Sequence, residues 1–151
     1  MNNEPNECSI LVVDDDPGDR LLIDKAMKES GVKNRVEFLQ DGQEMIDHLM
    51  ERVNPSGHEG ERRLPDLILL DLNMPRLDGH EALKLVKRHS ALKEIPVLIF
   101  TNSRSMEDIL DSYKEGANTF LTKPFDYPGL VRLMGLLKAY WLDNAKLPCA
   151  R

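Results

Sequence analysis

Hydrophobic positions along this chain fall into two alternating patterns. Ile10-Leu11-Val12-Val13, Leu67-Ile68-Leu69-Leu70 and Pro96-Val97-Leu98-Ile99-Phe100 are near-continuous apolar runs, the signature of strands buried on both faces. Shorter strand-like runs lie at about Val36 to Leu39 and at Thr119 to Thr122. Between the runs the spacing is helical: Met45, Ile46, Leu49, Met50 and Val53 after about Gln43, then Ala82, Leu83, Leu85 and Val86 after Gly79. Helix signals agree with this spacing. Asp16 can cap a helix that has Pro17 at its first position and Gly31 at its stop. Ser105 with Asp108 starts another in the manner of a capping box, and Gly116 ends it. A last helix runs from near Pro128 to about Leu142. Strands alternating with helices predict a parallel sheet with helices on both faces.

In such a sheet, ligands and chemistry gather outside the carboxyl ends of the strands. The first run ends in Asp14-Asp15-Asp16, the second in Asp71, the third in Thr101 and the fourth in Lys123-Pro124. One sheet edge therefore receives acids, a hydroxyl and an amine. Clustered carboxylates repel and need a counter-charge, and oxygen-only ligands suit a hard cation, Mg²⁺ before transition metals. Taken singly, the acid run could be a solvated helix N-terminus, Asp71 a loop acid and Lys123 a solvated lysine. Their convergence on one edge is what favours a site. An EF-hand reading of Asp14-x-Asp16 fails, because Lys25 holds the twelfth position where a Glu is needed.

Composition narrows the class. The chain has 151 residues, enough for one domain with a sizeable core. A net charge of −6 argues against non-specific nucleic-acid binding. No apolar run reaches membrane-span length, and the polar, acidic start is no signal peptide, so a cytoplasmic location is expected. Cys8 and Cys149 form no CxxC pair and read as reduced thiols. His48, His58, His80 and His89 lack ligand spacing and read as surface or helix histidines. Residues 54–65, rich in Pro, Gly and charge, read as a mobile, non-catalytic loop.

These motifs resemble the receiver domain of two-component response regulators, the CheY type. Asp14-Asp15 match the acidic pair after the first strand, and Asp71, followed by Met74-Pro75-x-x-Asp78-Gly79, matches the phosphoacceptor. Thr101 matches the switch hydroxyl, and Lys123-Pro124 the Lys-Pro pair. The resemblance implies a flavodoxin-like, doubly wound five-stranded parallel sheet of strand order 2-1-3-4-5. It implies a flexible N-terminus over residues 1–8, a receiver over 9–142 and a tail over 143–151, with no output domain. It further implies that Asp15 and Asp71 ligate Mg²⁺ (or Mn²⁺) directly, that Asp14 acts through water, and that the Asn73 backbone carbonyl is a further ligand. Asp71 would accept a phosphoryl group from a sensor histidine kinase, Lys123 would neutralise its charge, and Thr101 and Phe120 would relay the change. The Lys123-Pro124 bond would be cis. The implied protein is not an enzyme beyond its own Mg-dependent phosphorylation and dephosphorylation.

Two alternatives fit less well. A haloacid dehalogenase-type phosphohydrolase needs a second Asp where this chain has Asn73, which cannot serve as the acid. A flavin binder would need a phosphate loop in place of Asp14 to Asp16.

The last helix is too apolar for one buried face. At 100° per residue Leu130, Leu133, Met134, Leu137 and Trp141 share a stripe, while Leu136 and Tyr140 fall to one side and Leu142 to the other. Leu136, Tyr140 and Trp141 are expected at an interface, with a homodimer as the expected occupant. Tyr140-Trp141-Leu142, Leu147-Pro148 and the long loop look similar to receivers paired with phytochrome-type kinases, which makes a bacteriophytochrome the expected kinase.

Overall fold

The computed structural model describes residues 8–54 and 63–148. Five strands, β1 (Ile10–Val13), β2 (Val36–Leu39), β3 (Leu67–Leu70), β4 (Val97–Thr101) and β5 (Thr119–Thr122), form one parallel sheet in the order β2-β1-β3-β4-β5. Five helices connect them: α1 (Pro17–Glu29), α2 (Gly42–Val53), α3 (Gly79–Arg88), α4 (Met106–Lys114) and α5 (Tyr127–Leu137).

The apolar runs become the three inner strands, every residue of which is buried. The period of two along each strand divides them between two cores. Leu11, Val13, Ile68, Leu70, Val97 and Ile99 face Met45 and Leu49 of α2 and Ala82, Leu83 and Val86 of α3. Ile10, Val12, Leu67, Leu69, Leu98 and Phe100 face Ile23, Ala26 and Met27 of α1 and Leu130, Met134 and Leu137 of α5. The edge strands β2 and β5 are only half-buried, which explains their weaker apolar pattern. Burial of each large side chain in these cores stabilises the fold by about 1.5–3 kcal/mol.

Each helix begins with a side-chain cap on its own backbone, Asp16, Asp41, Asp78, Ser105 and Asp126 in turn, and each cap is worth about 1 kcal/mol. At α4 the capping box is half made. The Ser105 hydroxyl accepts from Asp108 N at 3.1 Å, but the Asp108 carboxylate turns instead to Ser103 and His80. His80 thus bridges Asp108 and Glu115 at 3.0 and 2.8 Å, tying α3 to α4 rather than facing water as a plain surface histidine.

Three expectations need correction. The Lys123-Pro124 bond is trans, as are all peptide bonds of the described residues. Lys123 is nevertheless aimed inward, its backbone N–H continuing the β4–β5 ladder onto Thr101 O at 2.8 Å. Cys8 is disulfide-bonded rather than a reduced thiol. The last helix keeps α pitch only to Leu137 and then widens into a π turn over Lys138–Leu142. The mobile loop expected over 54–65 lies mostly, at 55–62, outside the described residues.

Candidate functional site

Asp14 directly follows β1, and its backbone N–H still reaches Leu39 O at 3.0 Å. Asp71 follows β3 in the same way, donating to Val13 O at 3.0 Å. The sheet ladder therefore fixes both carboxylates side by side, and both are buried. Asp71 Oδ1 accepts from Leu72 N at 2.7 Å, which leaves Oδ2 facing the cleft. Asp15 stays exposed at the mouth. Carboxylate oxygens of Asp14, Asp15 and Asp71 lie within 4.8 Å of one another.

Lys123, carried by the end of β5, reaches across this edge with Nζ 2.7 Å from Asp14 Oδ2 and 3.2 Å from Asp71 Oδ2. Its third bond goes to Asp19 Oδ2 at 2.8 Å, a partner on the first turn of α1 that the sequence reading missed. Burial opposes the ammonium charge, but the hydrogen bonds it donates to Asp14 and Asp19 and the field of Asp71 hold Lys123 protonated well above its usual range. Burial pushes the Asp14 carboxyl up, against the Lys123 and Asp16 N–H hydrogen bonds that favour its charge. Arg20 supplies a further cation, Nη1 donating to Asp14 O at 2.7 Å.

Thr101, at the end of β4, is wholly buried and accepts from Ser103 N at 3.3 Å. Phe120 is half-buried on the α2–α3 side of the sheet, and its N–H donates to the Tyr113 hydroxyl at 3.1 Å. Asn73 and Asn102 complete the cleft with Asp15, Asp16, Asp19, Asp71 and Lys123. Gly79 packs directly against the Asp71–Leu72 backbone: a Cβ there would lie 2.1 Å from Asp71 O and 2.6 Å from Leu72 Cα. The cleft offers oxygen donors and one amine, a set that fits a hard divalent cation beside a phosphoryl group.

The description "Response regulator receiver domain" matches residues 10–134. This chain belongs to the response regulator receiver family. FilR2 of Methanothrix harundinacea (strain 6Ac) is 39% identical over 139 residues, covering 92% of this chain and 86% of its own. Rcp1 of Synechocystis sp. (strain ATCC 27184 / PCC 6803 / Kazusa) is 34% identical over 151 residues, 99% of this chain and 100% of its own. The crystal structure of the Mn²⁺-bound form of Rcp1 superposes with a TM-score of 0.81 at 32% identity, over 94% of this chain and 99% of that one. The phosphorylated cyanobacterial phytochrome response regulator RcpA superposes with a TM-score of 0.83 at 35% identity, over 95% and 99%.

Receiver domains work with histidine kinases and hold Mg²⁺ or Mn²⁺ at an acidic pocket, and as a class they are not conventional enzymes. In this receiver the expected site residues Asp14, Asp15, Asp71, Asn73, Thr101 and Lys123 gather at one edge, and Phe120 lies one strand beyond. Leu136 lies near the end of α5 and Tyr140 and Trp141 on the π turn, and none of the three lines the cleft. Leu136 and Tyr140 are exposed, as expected, but Trp141 is half-buried against the α1–α5 core. Among the described residues no helix is long and apolar enough to cross a membrane.

Proposed function

We propose that this receiver is a single-domain response regulator that takes a phosphoryl group from a sensor histidine kinase onto Asp71 and signals through protein contacts. The observation that carries the reading is the Lys123 ammonium bonded at once to Asp14 and Asp71 at the mouth of a cleft. An Asp71 Oδ attacks phosphorus, and a P–O bond forms as the donor's P–N bond breaks. The leaving imidazole keeps the bonding pair. Lys123 neutralises the charge on the equatorial oxygens, and the buried Thr101 hydroxyl turns to donate to one of them. Asp14, Asp15, Asp71 and the Asn73 backbone carbonyl would hold Mg²⁺ or Mn²⁺, which supplies further charge neutralisation when bound. Withdrawal of Thr101 leaves room for Phe120 to move inward. Phe120 gains packing there and no hydrogen bond, having no hydroxyl.

An apolar groove abuts the cleft, lined by Leu22, Phe100, Phe125 and Tyr127, and Phe125 is 92% exposed there. A protein donor that covers this groove brings its phosphohistidine to Asp71. The likeness to the cyanobacterial phytochrome response regulator RcpA supports a phytochrome-type kinase as that donor, acting in the cytoplasm. The exposed Leu136 and Tyr140 support a homodimer through α5 and β5.

The test is intact mass after incubation with Mg²⁺ and phosphoramidate. Wild type gains one phosphoryl group and Asp71→Asn gains none. Phosphate retained on the Asn variant would defeat the assignment.

A further inference from the structure

We propose that Asp19 is a positioning residue for Lys123, holding the ammonium where the incoming phosphoryl group meets it. The proposal rests on Asp71 being the phosphoacceptor. An ammonium has three N–H bonds to give. All three are spent on carboxylates, at 2.7 Å to Asp14, 2.8 Å to Asp19 and 3.2 Å to Asp71. These partners are not equivalent. Asp14 and Asp71 belong to the group of acids whose oxygens lie within 4.8 Å of one another, and Asp19 does not. Asp71 gives up its share of the ammonium when one of its oxygens becomes the bridging oxygen of an acyl phosphate and the third N–H turns to the phosphoryl oxygen. Asp14 is drawn toward any cation the acid group holds. Asp19 alone has no other demand on its carboxylate.

Its place in the fold suits that task. Pro17 and the Asp16 cap, which accepts from Gly18 N at 2.8 Å, fix the first turn of α1 and with it the Asp19 backbone. The Asp19 side chain is 32% exposed, against 2% for Asp14 and 8% for Asp71. It therefore approaches Nζ from the solvent side, while the other two approach from within. With Asp14 and Asp19 as two fixed legs, Lys123 can exchange its weakest and longest bond for a phosphoryl oxygen without swinging away. The balance of the step is unchanged: the P–O bond to Asp71 forms, the donor bond to phosphorus breaks, and the leaving group keeps the pair.

A plain tie between α1 and β5 would give the same contact distances, so the test separates the two. Asp19→Ala and Asp19→Asn are compared in wild-type and Lys123→Ala backgrounds. The measurements are phosphoramidate turnover with Mg²⁺, Mg²⁺ affinity by calorimetry, and the Lys123 ammonium signal by ¹⁵N-edited NMR without metal. Asp19→Ala is expected to lower the saturating rate about tenfold and to leave the donor KM and Mg²⁺ affinity within about twofold. Asp19→Asn, which keeps an acceptor but not the charge, is expected to lower it only about threefold. The ammonium signal, protected in wild type, broadens in the Ala variant and persists in the Asn variant. In the Lys123→Ala background the Asp19 changes have no further effect.

A rate unchanged or raised by Asp19→Ala overturns the proposal. So does an equal loss in the Lys123→Ala background, or an ammonium signal indifferent to Asp19. Phosphate retained on Asp71→Asn overturns the phosphoacceptor reading instead, a result the metal-free NMR arm does not depend on.

Discussion

Replacing Gly79 by alanine tests how closely the start of α3 must approach the backbone that carries Asp71. The added Cβ would meet Asp71 O at 2.1 Å, Leu72 Cα at 2.6 Å and Asp71 C at 3.0 Å, all backbone atoms that no rotamer change can move. Ordinary carbon contacts need well over 3 Å, so the start of α3 and the Asp71–Leu72 peptide must part by ~1 Å. Overpacking of this kind costs about 1–3 kcal/mol. The Gly79 N–H bond to Leu72 O, now 2.8 Å, is stretched or lost, at about 1 kcal/mol. Alanine recovers about 0.4–1 kcal/mol through the less flexible unfolded chain. The net loss is about 2 kcal/mol, or a fall of roughly 4–8 °C in Tm for a chain of this size. The larger effect falls on chemistry. Displacing the Asp71 backbone by this much moves its carboxylate relative to Lys123, and a misplacement of ~1 Å slows transfer about a hundredfold. Urea denaturation followed by the single tryptophan, Trp141, measures the first effect, and the time course of phosphorylated mass measures the second. Gly116→Ala is the control. Gly116 has φ +107° and a Cβ there meets only the flexible Lys87 side chain, so stability falls by about 1–2 kcal/mol and phosphorylation does not change. If Gly79→Ala keeps both its midpoint and its rate, or loses stability while phosphorylating like the control, the close approach to Asp71 has no functional weight.

Asp15→Ala is expected to abolish divalent-ion binding and phosphorylation. Asp16→Ala, whose carboxylate caps α1, should keep both and lose about 1 kcal/mol of stability, with calorimetry and denaturation as the readouts. Equal binding losses for the two would mean the acids are misassigned. For His80, burial opposes the charge but the hydrogen bonds the ring donates to Glu115 and Asp108 outweigh it, so its pKa is raised above the ordinary histidine value. A raised folded value stabilises fully below the ordinary histidine pKa and ceases to do so as pH rises through the folded value. The stability gap between wild type and His80→Gln should therefore be widest below the ordinary histidine pKa and shrink as pH rises through the raised folded value; a gap that grows with pH would contradict the bridge. Leu136→Glu with Tyr140→Glu should convert a sedimenting dimer to a monomer at micromolar concentration. A wild type that is monomeric with and without phosphate would leave that exposed pair to another partner.

Much of this was legible because burial writes itself into sequence. Strands covered on both faces must be apolar throughout, so β1, β3 and β4 stand out, and the polar residues that interrupt them, Asp14, Asp71 and Thr101, stand at the site edge. Asp19 was not legible, because spacing reveals a helix without revealing which first-turn side chain faces the end of β5. The His80 bridge was hidden for a similar reason: its partners lie 28 and 35 residues away. The π turn shows a limit of periodicity. At 100° per residue Leu142 falls on the side away from Leu137. An i→i+5 turn advances only about 80° per residue and swings it back, so that Leu142 packs beside Trp141 against the same core.

The ion pair between Lys123 and Asp14 joins residues 109 apart in the chain. Synthesis proceeds at about 5–20 residues per second, so a nascent chain spends several seconds with its acids made and their lysine still missing. During that interval β4 lacks its edge strand, and Asp14 and Asp71 have no Lys123 ammonium beside them. The last strand in the chain thus carries the cation that offsets the acids following the first and third, so the charge balance of the pocket depends on the whole sheet being assembled.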